Sequence, residues 1–226
     1  MGKPVNPRRR YHSPRRQEQA AATRLAILRA AEVLFAEHGY AATTMETVAG
    51  EAGVALKTVY SAFATKSGLL RALWDLRLKG DADDAPVAER PWYREVLDEP
   101  DPERQLRLNA RNSRVVKERI GSILRTIRSA AAIEPGADAL WRLIQSDLHA
   151  NQRVLVAAIA ERGGLRPGLD VERATDVLWT LNHPDVWLLL VGERGWTPEA
   201  FEAWFAEVCC AQLLRQPGGA PTAATN

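Results

Sequence analysis

The side chains best suited to meeting a polyanion fall in one short stretch, residues 41–63, AATTMETVAGEAGVALKTVYSAF. Thr43-x-x-Glu46 reads as a capping box, so a short helix is expected to start there, with Met45, Val48 and Ala49 on its inner face. Ala52-Gly53-Val54 interrupts it, and Gly53 is free to take the positive φ of a tight turn. A second short helix runs from Ala55 to about Ala62. Val54, Val59 and Phe63 are spaced to face inward, which leaves Leu56, Lys57, Thr58, Tyr60 and Ser61 outward. Two short helices across a glycine turn form a helix-turn-helix, whose second helix fits the major groove of DNA. Its N-terminal half reaches base edges while flanking side chains grip phosphates. The same periodicity describes an ordinary helical corner in a bundle, and spacing alone does not separate the two.

Catalytic chemistry finds little support. No Walker A loop, G-x-G-x-x-G, G-x-S-x-G, H-E-x-x-H or C-x-x-C occurs. The paired acids Asp83-Asp84 sit in a polar linker, where solvation explains them. No metal-binding spacing gathers around His149 or His183. Cys209 and Cys210 are the only cysteines and are neighbours, so neither a disulfide framework nor a thiolate zinc site is expected. These absences argue against an enzyme, a metal or another cofactor. They leave a DNA-binding protein or a helical adaptor for another protein.

Charge favours the first. The 226 residues carry a formal net charge of +2, but residues 1–80 hold 13 Lys or Arg against 6 Asp or Glu, and residues 81–226 hold 17 against 22. Six cations, among them Arg15 and Arg16, lie in the first seventeen residues with no acid. A basic N-terminal part suggests a nucleic acid partner.

The elements that must position these groups are helices. With 46% hydrophobic and 26% charged residues the chain is an ordinary globular one. Residues 1–16, rich in proline and arginine, are expected to be a disordered basic arm. From Gln17 the pattern becomes helical: Leu25, Leu28, Ala31, Leu34 and Phe35 recur at three- and four-residue steps, and Gly39 is placed as an αL stop. Residues 66–79 continue as a helix. Residues 81–90 read as an acidic, flexible connection and the main boundary between a DNA-binding part (17–80) and a larger part (81–216). Helices are expected at roughly 102–133, 137–162, 170–193 and 198–214, with a frayed tail at 217–226. No strand alternation appears, so the fold is all-α. The longest apolar run, Val186–Val191, is far too short to span a bilayer, and no apolar stretch follows the N-terminal arginines as a secretory signal requires. A soluble cytoplasmic protein is expected.

Residues 24–70 resemble the DNA-binding domain of the tetracycline-repressor (TetR) family of bacterial transcriptional regulators. The residues that carry the resemblance are Arg24, Ile27, Leu28, Ala30, Ala31, Leu34, Phe35, Gly39, Tyr40, Thr43 and Thr44. They continue through Val48, Ala49, Ala52, Gly53, Val54, Thr58, Val59, Tyr60, Phe63, Lys66, Leu69 and Leu70. The resemblance implies a homodimeric, ligand-responsive repressor. It places Thr44 at a phosphate, Lys57 and Thr58 at the bases, and Tyr60 and Lys66 at phosphates. Two positions depart from the family: Ala55 stands where a capping hydroxyl is usual, and Lys57 where many relatives have glycine. Alanine forgoes a cap worth ~1 kcal/mol of helix stability. Beside such a motif, Arg15 and Arg16 are expected to add salt-dependent affinity, as homeodomain arms do in the minor groove.

In the larger part, Val171–Val191 is apolar on more than one face, and Phe201, Trp204, Phe205, Val208 and Leu213 form a second apolar face. Two such faces point to a homodimer through the last two helices, forming a four-helix bundle. The two-fold then calls for a palindromic operator on double-stranded DNA. A pocket for an unknown small-molecule effector is expected within 100–183. Its expected lining is Trp92, Tyr93, Asn112, Val116, Ile120, Leu124, Trp141, Gln145, Leu148, Trp179 and Asn182, apolar walls with a few amides.

Overall fold

The computed structural model describes residues 14–79 and 90–215. Every regular element among them is a helix, as expected; Leu165 and Leu214 add a single antiparallel bridge. The chain divides into two compact units between Ala72 and Leu73, inside a helix. Residues 81–89 of the acidic connection and the C-terminal tail lie outside the described residues, as do positions 1–13 of the expected arm.

The N-terminal unit holds α1 (Pro14–Ala42), α2 (Met45–Glu51), α3 (Leu56–Phe63) and the start of α4 (Lys66–Lys79). Helix α1 begins three residues earlier than the pattern from Gln17 implied, so Arg15 and Arg16 lie in its first turn and not in a disordered arm. Its apolar stripe buries Ile27, Leu28, Ala31, Leu34 and Phe35, and Val48, Ala49, Val59, Phe63, Leu69 and Leu70 are buried in the same unit. Each large side chain so buried contributes about 1.5–3 kcal/mol. Gly39 is not an αL stop: at φ 75°, ψ 171° it kinks the helix, which resumes to Ala42.

The capping box at α2 is one residue later than Thr43-x-x-Glu46. Thr44 is the N-cap: its hydroxyl accepts from the Thr47 amide, and its own amide donates to the Thr47 hydroxyl. Thr43 is buried instead, donating its hydroxyl to the carbonyls of Leu34 (3.1 Å) and Gly39 (2.8 Å). Two adjacent threonines thus divide the work: one fastens the kinked end of α1, the other starts α2.

The second unit adds α5 (Pro91–Asp98), α6 (Pro102–Ala131), α7 (Pro135–Glu161), α8 (Val171–Leu181), α9 (Pro184–Trp187) and α10 (Pro198–Leu213). Side-chain caps from Asp101, Glu134, Asp170 and Thr197 start α6, α7, α8 and α10. The expected helix over 170–193 is broken. Helix α8 ends at Leu181 with Asn182 as its C-cap, Pro184 restarts the chain, and the last six residues, Leu188–Glu193, form a wide π turn. Proline cannot donate the amide that a continuous helix needs. The apolar residues on both sides of the break still bury one face, and this continuity hides the break from periodicity. Helix α6 lies between α7 and α10, with α8 against both α7 and α10. The core joins Leu106, Leu155, Ile159, Leu178, Trp187, Phe201 and Phe205.

Candidate functional site

On α3, Lys57 and Ser61 are exposed, Tyr60 is 45% exposed, and Leu56 and Thr58 are half-buried. Val59 and Phe63 are buried, Val54 only half so. Gly53 takes φ 65° in the turn between α2 and α3. Ala55 occupies the N-cap without a side-chain bond, so the first turn of α3 carries a cap deficit. Arg24 fixes α3 to α1: its guanidinium donates to the Ala62 carbonyl (2.8 Å) and lies 4.2 Å from the centre of the Phe63 ring. An open groove runs between the two helices. Arg16, Gln19, Thr23 and Arg24 line it from α1, Lys57, Thr58 and Ser61 from α3, with no acid among the lining residues. The structure therefore places Arg16 and Lys57 on one groove, whereas Arg15 is exposed and does not line it.

Thr44 is exposed at the start of α2, but its amide and hydroxyl are both engaged with Thr47. Lys66, expected at a phosphate, is bound within the head. Its ammonium donates to the carbonyls of Tyr40 (2.8 Å) and Thr43 (2.9 Å) and lies 4.2 Å from the centre of the Tyr40 ring. Those carbonyls close α1, where a cation meets the negative end of the helix dipole. Lys66 is a clamp inside the head.

In the second unit the expected lining residues separate into two groups. Near α5, Asn112 donates its amide to the Trp92 carbonyl (2.7 Å) and Tyr93 its hydroxyl to the Asn151 carbonyl (3.2 Å). Burial raises the Tyr93 phenol above its usual value, so it stays protonated. These bonds tie α5 to α6 and α7. The other group converges on His183, whose ring centre lies 5.0 Å from that of Trp179 and 6.0 Å from that of Trp141. Gln145, one turn along from Trp141, has both amide atoms buried without a partner, as is the Trp179 indole nitrogen. Asn182 is buried and accepts on its side-chain oxygen from Ser113 (2.5 Å) and Lys117. Ile120 and Leu124 are buried on α6; Val116 and Leu148 are half-buried.

The comparisons with known proteins decide the family. A family model described as bacterial regulatory proteins, tetR family, matches residues 27–73. Over 184 residues the chain is 32% identical to ArpR of Pseudomonas putida, described as a probable HTH-type transcriptional regulator, with 78% of this chain and 85% of that one covered. TtgR, an HTH-type transcriptional regulator also of Pseudomonas putida, is 31% identical over the same shares. The chain belongs to the TetR family of transcriptional regulators. Among solved structures, NalD, the secondary repressor of the MexAB-OprM multidrug efflux pump in Pseudomonas aeruginosa, matches with a TM-score of 0.63 at 25% identity, covering 88% of this chain and 98% of that one. A SmeT–triclosan complex matches with a TM-score of 0.68 at 21% identity, covering 91% and 98%, a likeness of fold.

For a TetR-family regulator, the helix-turn-helix is the DNA-binding element, and α3 exposes Lys57, Tyr60 and Ser61 as the spacing implies, while Leu56 and Thr58 are half-buried. Two residues escape sequence reasoning. Gly68 carries no motif, yet a Cβ there would lie 2.4 Å from the Phe63 carbonyl oxygen, so only glycine permits the turn from α3 into α4. Lys117 reads as a solvated charge, yet it is buried, with its ammonium 4.9 Å from the centre of the Phe201 ring. The available signal is its seven-residue spacing from Ala110 and Leu124, both buried on the same stripe of α6.

Proposed function

We propose that this TetR-family regulator is a repressor that binds a palindromic operator as a homodimer and leaves it when a small molecule enters its C-terminal unit. The observation that carries the DNA reading is the acid-free groove between α1 and α3, lined by Arg16, Lys57 and Ser61, with Tyr60 exposed on the same helix α3. Lys57 and Thr58 meet base edges; Tyr60, Ser61, Arg15 and Arg16 meet the backbone, while Leu56 contributes apolar contact and Thr44 lies at the edge of the footprint.

A second groove supports the dimer. Val177, Thr180 and Leu181 of α8 and Val208 and Gln212 of α10 line an open, largely apolar trough with Asp176 at one end. The same pair of helices from a second copy would bury it in a four-helix bundle. Two-fold symmetry then sets the recognition helices about 34–36 Å apart, one turn of DNA. The effector reading rests on the polar atoms left without partners around Trp141, Gln145 and Trp179, which suit a bound molecule. A ligand releases DNA only by favouring a state whose heads no longer match successive grooves, a shift of populations. Helix α4, continuous from one unit into the other, is the covalent route for that shift. The protein would act in the cytoplasm; among the described residues no helix is long and apolar enough to cross a membrane.

The test is retardation of DNA from upstream of the protein's own coding region. A salt-dependent shift that reverses with a small molecule supports the reading. Chemical turnover of a small molecule with no DNA retardation would replace it with an enzyme.

A further inference from the structure

Lys117 is a cation placed where water does not reach. Its ammonium sits on the ring faces of Phe201 (4.9 Å) and Phe205 (5.6 Å) and donates to one protein oxygen, that of Asn182. Among the described residues no carboxylate lies within ion-pair distance of it. An ammonium carries three donors, so most of its capacity is unused. A buried charge of this kind is costly unless something pairs with it.

The surroundings add more donors than acceptors. Asn182 joins the Lys117 ammonium to the adjacent His183, and His183 meets Trp179 and Trp141. The Trp179 N–H is buried and unpartnered, and so is the Gln145 side-chain amide, which offers two N–H donors against one carbonyl. Ser113 already spends its hydroxyl on Asn182. A molecule that satisfies this set must bring acceptor oxygens and a flat apolar body. Edge-to-face contacts of the kind already made among these three rings would hold an aromatic body.

We propose that the interior of the C-terminal unit binds an aromatic carboxylate, its anionic oxygens on Lys117 and the Trp179 N–H and its ring among Trp141, Trp179 and His183. The proposal rests on the effector reading and names the chemical class of that effector. A charge-assisted bond inside a low-dielectric interior is worth much more than the neutral bond an amide makes in its place. The acid and its amide, equal in shape, therefore differ in affinity.

The experiment compares 2-naphthoate with 2-naphthamide on the full chain by isothermal titration at pH 6.5, with release of retarded upstream DNA read in parallel. The acid is expected to bind at least ~10-fold more tightly than the amide. In Lys117→Met that preference is expected to disappear. Equal affinity of acid and amide for the parent protein overturns the proposal, and this comparison needs no variant to fold. Absence of acid binding overturns it too, as does a preference that survives in both Lys117→Met and Lys117→Gln. If the acid binds through Lys117 but DNA stays bound, the ligand class stands and the effector reading falls. If the amide releases DNA as well as the acid does, the effector reading stands and the carboxylate falls.

Discussion

Burial without a counter-ion pushes Lys117 down to about 7, desolvation being the cause. The titratable groups facing it do little to offset this. Burial and nearby cations hold His183 below its usual value, Asp185 opposing, and burial keeps Cys209 a thiol. The folded chain thus binds the Lys117 proton less tightly than the unfolded chain does. The resulting penalty is complete below about 7 and fades as pH rises from there toward the ordinary lysine value of 10.5. Lys117→Met should therefore stabilise the ligand-free protein by about 1–4 kcal/mol at pH 6, and by less at pH 9, in urea titrations. On α3, Lys57→Ala should weaken operator binding and relax base preference, whereas Tyr60→Phe should weaken all sequences alike; anisotropy titrations against salt distinguish the two. The exposure of Lys57, Tyr60 and Ser61 on α3 was legible in the sequence because helical phase is local, whereas Leu56 and Thr58, expected outward with them, are half-buried. Lys117 and Lys66 were not legible: a cation on a helix reads as solvated until residues far along the chain are brought against it, Phe201 in one case and the Tyr40 carbonyl in the other.

At the scale of elements, two places in the head invite substitution. Ala55→Ser would restore a hydroxyl where α3 lacks a cap and should add about 0.5–1 kcal/mol of stability by thermal or urea unfolding. Gly68→Ala forces a methyl against the Phe63 carbonyl and should cost about 1–3 kcal/mol in the same assay, because the clash is with backbone and cannot be relieved by a rotamer. The limits of α6, α7 and α10 followed closely from periodicity, whereas α5 was not expected. The start of α2 did not follow, since Thr43 and Thr44 are equal candidates until the Leu34 carbonyl, nine residues back, claims the first. The break after α8 had one local mark, Pro184, inside an apolar run that otherwise reads as one helix. For the two threonines the deciding signal is tertiary, and a window along the chain does not contain it.

At the scale of the whole molecule, operator binding on this reading depends on two copies meeting through α8 and α10. Leu181→Arg would put a charge into the apolar trough between those helices, at a cost of about 3–5 kcal/mol where a partner buries it. Sedimentation at micromolar concentration should then report a monomer that keeps its helical spectrum but no longer retards DNA. An unchanged sedimentation coefficient would place the interface elsewhere. The fastening of the head carries a further consequence. Arg24 bolts α1 to α3, Lys66 bolts α4 back onto the end of α1, and Gly68 leaves no slack at the corner between. A body stapled at three points has no soft internal coordinate to bend. Induction would therefore pivot each reading head as an intact piece, and amide-exchange protection across residues 24–70, measured without DNA, should stay the same with and without the effector.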